Sequence, residues 1–74
     1  MDAETRKLIA DLNLPVIGFG ALNMRPTPST QAAIYVAEYK KNNTILGYEV
    51  WQSFDNSWKL ISSPATYLRM ANIR

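Results

Sequence analysis

Two short breaks, Asn42-Asn43 and Asp55-Asn56-Ser57, cut a β-prone stretch into pieces of strand length, and they constrain the fold more than any other feature of the chain. Asparagine and aspartate tolerate positive φ, so each break reads as a turn that reverses one strand into the next. The first turn sets a register in which Lys41 faces Thr44, Tyr39 faces Leu46, Ala37 faces Tyr48 and Tyr35 faces Val50. The second, counted as three residues, sets Phe54 opposite Trp58 and carries a third strand through Trp58-Lys59-Leu60-Ile61. On this count Tyr35, Ala37, Tyr39, Leu46, Tyr48, Val50, Phe54, Trp58 and Leu60 share one apolar face.

The stretch from Gln31 to Lys41 fits two periods. Ala32, Tyr35, Val36 and Tyr39 suit a helical face, whereas Ala33, Tyr35, Ala37 and Tyr39 suit strand alternation. The Asn42-Asn43 turn that follows favours the strand. Upstream, Asp2 caps a helix running to about Leu12, with Leu8, Ile9 and Leu12 on one face, and Asn13 with Pro15 ends it. Val16 to Met24 reads as a further strand whose Gly18 and Gly20 invite a bend or the close approach of another group. Arg25-Pro26-Thr27-Pro28-Ser29-Thr30 is an extended connector, too short to separate domains. Ser63-Pro64 pairs an N-cap with a proline at the first helical position, which predicts a C-terminal helix to Arg74.

The expected fold is therefore α+β: a small antiparallel β-meander of three to four strands between an N-terminal and a C-terminal helix. A chain of 74 residues with 47% hydrophobic side chains is one small globular domain spanning residues 1–74. A core of this size supplies only about 3–5 kcal/mol of net stability, so a partner or self-association is a natural supplement. The longest apolar run, Leu14 to Leu22, is about half of what a membrane-spanning helix needs. The acidic start Met1-Asp2-Ala3-Glu4 does not resemble a signal peptide, which points to the cytoplasm.

Histidine and cysteine are absent, which excludes the common nucleophilic triads, thiol chemistry and histidine or thiolate metal sites. Glu38 and Glu49 would lie diagonally across the hairpin, but a solvated sheet face offers no burial to separate their pKa values as paired-carboxylate catalysis needs. Gly18-Phe19-Gly20 lacks the third glycine and the βαβ unit of a dinucleotide fingerprint. Asn42-Asn43-Thr44 matches a glycosylation triplet but reads as a turn, and Ser29, Thr30, Ser62 and Ser63 have no general base beside them. No catalytic, cofactor-binding or metal-binding residue is expected.

What remains is binding. In the register above, Ile34, Val36, Glu38, Lys40, Ile45, Glu49, Trp51, Lys59 and Ile61 occupy the second face of the meander, with Trp51 opposite Ile34. One large aromatic among β-branched and mixed-charge residues has the make-up of a protein contact. The expected contact comprises Trp51, Glu49, Ile34, Val36 and Lys59, with Lys40 and Lys41 at a basic hairpin tip. This describes a small non-catalytic interaction protein acting as an adaptor, inhibitor or accessory subunit, by analogy of size the kind of chain that phages and mobile elements encode. The competing expectation is single-stranded nucleic-acid binding through the lysines of the tip and the aromatics Tyr35, Tyr39, Tyr48, Trp51 and Trp58. A net charge of +2 is too small for a dedicated duplex-DNA binder. Open strand edges would also allow a homodimer.

Overall fold

The computed structural model describes residues 1–63. A helix, α1 (Ala3–Leu12), is followed by β1 (Val16–Gly20), a short 3-10 turn (Leu22–Met24), β2 (Ala33–Lys41), β3 (Thr44–Phe54) and β4 (Ser57–Ser62). The four strands form a single sheet in the order β1-β2-β3-β4. The C-terminal helix expected from Pro64 onward lies outside the described residues.

Both ends of α1 follow local chemistry. Asp2 sits in extended backbone and its carboxylate accepts the Thr5 N–H at 2.6 Å, satisfying one of the donors that a helix start leaves open. Asn13 closes the other end in the left-handed conformation at φ 52°, its N–H donating to the Ile9 and Ala10 carbonyls. Leu8, Ile9 and Leu12, with Leu14 just beyond, pack on Ile34, Val36 and Val50 of the central strands, and Tyr48 and Ile61 complete this layer. Ile34, Val36 and Val50 are fully enclosed.

The sheet is mixed, not the all-antiparallel meander expected. β1 runs parallel to β2, pairing Val16 with Ile34 and Phe19 with Val36, and the Ile34 N–H donates to the Pro15 carbonyl at 2.8 Å. A parallel pair needs a crossover of a dozen residues or so, and the stretch between Gly20 and Ala33 supplies it. Its prolines keep it extended, and in that form it is long enough to carry the chain back along the sheet.

The register also differs from the sequence expectation, at two places that offset each other. Lys41 faces Thr44 and Lys40 faces Ile45 as expected, but Tyr39 pairs with Gly47, leaving Leu46 as an extra residue. Gly47, at φ 156°, accommodates the bulge without strain. A one-residue slip exchanges the faces of the rest of β3. Trp51 accordingly faces Tyr35, not Ile34, and Val50 faces Val36. The second turn is then two residues long: Asp55 and Asn56 both take positive φ, Phe54 pairs with Ser57 and Ser53 with Trp58. That second one-residue difference returns Trp58 and Leu60 to the side of Tyr35.

Candidate functional site

The sheet therefore has one face roofed by α1 and a second face bearing Tyr35, Glu49, Trp51, Ser53, Trp58 and Leu60. The crossover connector lies on this second face and is tied down at both ends. At its start the Tyr35 hydroxyl donates to the Ala21 carbonyl at 2.6 Å. Near its end the Ser29 N–H donates to Ser53 Oγ at 2.7 Å, and the Ser53 hydroxyl donates back to the Ser29 carbonyl at 3.0 Å. Ser53 has no exposed surface, and this reciprocal pair uses its hydroxyl as donor and as acceptor. The Asn56 N–H adds a second bond to the Ser29 carbonyl at 3.1 Å.

Between these anchors the connector covers the two tryptophans. The Arg25 guanidinium stands 4.7 Å from the centre of the Trp51 ring and 6.0 Å from that of Trp58, while Trp58 Nε1 donates to the Pro26 carbonyl at 2.9 Å. Trp58 also meets Tyr35 edge-on with ring centres 6.2 Å apart. Trp51 Nε1 donates to Glu49 Oε1 at 3.2 Å. Trp51 is thus held at its polar edge by a carboxylate and on its π face by a cation, the two contacts that its charge distribution favours. Its side chain remains partly exposed, as do Glu49 and Trp58. Around this centre Leu60 and Tyr39 are 43% and 41% exposed, and the 3-10 turn leading into Arg25 displays Met24 at 74%.

Of the residues expected to make the contact, Trp51 and Glu49 come together here. Ile34 and Val36 do not: the shifted register puts Trp51 on the opposite face from them, and α1 covers them, leaving no accessible surface to offer. Lys59 pairs with Gln52 and so occupies the register of the α1 face, away from Trp51. Lys40 and Lys41 are exposed at the tip of the first hairpin, where the Lys40 ammonium lies 3.3 Å from the Glu38 carboxylate. An ion pair this open to solvent contributes at most about 1 kcal/mol. Among the described residues no three acidic side chains gather as a metal site requires, and no helix is long and apolar enough to cross a membrane.

Arg25, Trp58 and Ser53 complete the site; of these the sequence offers only Trp58, as one of the aromatics of the nucleic-acid reading, and gives no role to Arg25 or Ser53. The available signal is Arg25-Pro26-Thr27-Pro28, an extended basic and proline-rich segment in a chain that holds two tryptophans on neighbouring strands. No protein-family model matches the chain, and no similarity to a curated protein or a solved structure was found.

Proposed function

We propose that the chain is a small, non-catalytic protein-interaction module, an adaptor, inhibitor or accessory subunit of the cytoplasm, whose contact is centred on Trp51. The observation that supports this most directly is the partly exposed Trp51 ring fixed by both Arg25 and Glu49 within a rim containing Leu60 and Tyr39. Tryptophan, tyrosine and arginine dominate the energetics of protein contacts, and an aromatic already held in place loses little freedom on binding. Lys41 at the hairpin tip adds charge at the margin.

Affinity capture from source-cell extract tests the reading, comparing wild type with Trp51→Ala and Glu49→Lys and using Lys59→Glu on the α1 side as the control. Loss of a captured protein by the first two alone is expected. If both retain every partner while folding normally, the face is not the contact.

The same cluster gives single-stranded nucleic acid a second, weaker reading, since Arg25, Trp51 and Trp58 combine a cation with stackable rings. Arg25 already occupies the ring faces, however, and a base would have to displace it. Phosphate contacts make affinity fall steeply with salt, so absence of binding to oligonucleotides at low salt removes this reading. Self-association would use the outer side of β1, where Val16, Ile17 and Phe19 are about half exposed. Sedimentation across a concentration series reports it.

A further inference from the structure

We propose that the Trp51–Trp58 face is a recognition surface for proline-rich segments in which an arginine precedes a proline, and that the chain's own connector occupies it as an internal ligand. Arg25 has φ −66° and ψ 144°, which is polyproline II geometry. Pro26 and Pro28 hold φ near the same value and Thr27, which precedes a proline, is kept extended, so the sequence from Arg25 to Pro28 favours the same helix. Segments of this kind have stiff backbones with unpaired carbonyls, and domains that recognise them offer aromatic grooves to receive the rings and side chains.

The intramolecular contact has the same parts. An indole N–H donates to a proline carbonyl, and the side chain preceding that proline stacks its guanidinium on the neighbouring indole. The Trp58–Pro26 bond is open to solvent, so water can replace it when the connector lifts. The firm anchors lie outside this stretch, at Ala21 and Ser29. The stretch from Arg25 to Pro28 can therefore leave the rings while both ends stay fixed. An outside peptide carrying the same chemistry competes with a tethered copy whose effective concentration is in the millimolar range, so wild type binds it weakly and a chain with a weakened internal ligand binds it better.

This inference rests on the reading of the face as a protein contact and specifies the partner's chemistry. The probe is the capped peptide Met-Arg-Pro-Thr-Pro-Ser, which repeats residues 24–29, followed through the emission of the chain's two tryptophans. Arg25→Ala should lower its Kd about tenfold or more relative to wild type, because it removes the internal competitor's stacking group. In the Arg25→Ala background, Trp58→Phe should raise Kd about threefold or more by deleting the N–H donor. A peptide with both prolines replaced by alanine should not saturate. Circular dichroism establishes that each variant is folded; if Arg25→Ala is not, Arg25→Lys serves, since it keeps the charge and loses the planar stack. A folded variant that shows no saturable binding, or binding indifferent to Trp58→Phe, overturns the proposal, as does a dimer of Arg25→Ala forming in place of peptide binding. Loss of partner capture by Trp51→Ala would stand through any of these results, so the peptide class can fail without the contact face failing.

Discussion

The phenol of Tyr35 donates to the backbone carbonyl of Ala21, and in doing so it spans the end of β1 and pins the first turn of the crossover. The ring lies so close to β1 that a Cβ built on Gly18 would come within 2.9 Å of it. Tyr35 is 3% exposed and tethered by its hydroxyl, so it has little room to yield. Gly18→Ala should therefore lower stability by about 1–3 kcal/mol, the usual cost of overpacking a filled site. Tyr35→Phe keeps the ring and should cost about 1 kcal/mol for the lost hydrogen bond. Urea denaturation measures both, and an unchanged midpoint for Gly18→Ala would contradict the close approach.

Asp2 makes the stability of α1 pH-dependent. Hydrogen bonds from the Thr5 side chain and then from its backbone N–H hold the Asp2 carboxyl below its usual 3.8. A carboxyl whose folded pKa is depressed stabilises the fold above its unfolded value, and that stabilisation disappears as pH falls from about 4 through the lowered folded value. Asp2→Asn can still cap the helix without titrating, so the melting temperature of wild type should fall relative to that of Asp2→Asn across this acidic window. Asp2→Ala should cost about 0.5–2 kcal/mol at neutral pH, where the cap itself is lost.

The turns at Asn42-Asn43 and Asp55-Asn56 each hold two successive residues at positive φ, with Asn43 at 63° and Asn56 at 64°. Glycine enters such backbone freely, whereas a β-branched residue is crowded against its own carbonyl. Asn56→Gly should leave thermal stability equal or higher, while Asn56→Val and Asn43→Val should each lower it by about 1–2 kcal/mol. A tolerated valine would argue against the two-residue turn.

Ile34 and Glu49 separate folding from binding. Ile34→Val removes a methylene from the enclosed layer beneath α1 and should cost about 0.5–1.5 kcal/mol without altering partner capture. Glu49→Lys should do the reverse: near-native stability with loss of capture, because it replaces the carboxylate that receives the Trp51 N–H. Paired denaturation and capture measurements read the two effects independently.

The helix cap at Asp2, the helix stop at Asn13 and both strand turns were legible because each depends on residues that are neighbours in sequence. Strand faces were legible within each strand too, since alternation groups Ile34 with Val36 and Tyr35 with Ala37 whatever lies across from them. Phase between strands was not legible. It turns on Leu46, a single extra residue that no local propensity marks, and on whether Ser57 belongs to the turn or to β4. One such slip moved Trp51 and Glu49 away from Ile34 and Val36. The direction of β1 was hidden for a related reason: Pro26 and Pro28 announce an extended connector, but only the sheet it crosses decides whether that connector reverses the chain or returns it parallel.

The parallel pairing of β1 also carries an expectation for the order in which the molecule assembles. β2, β3 and β4 can zip from two tight turns, each closing only a few residues of chain. β1 reaches β2 only after the whole proline-containing crossover has been confined, a larger entropic step that follows once a sheet exists to receive it. Loop-closure cost therefore predicts that the meander forms first and that α1 with β1 docks later, so Val50→Ala should slow folding while Leu8→Ala should mainly speed unfolding in stopped-flow measurements.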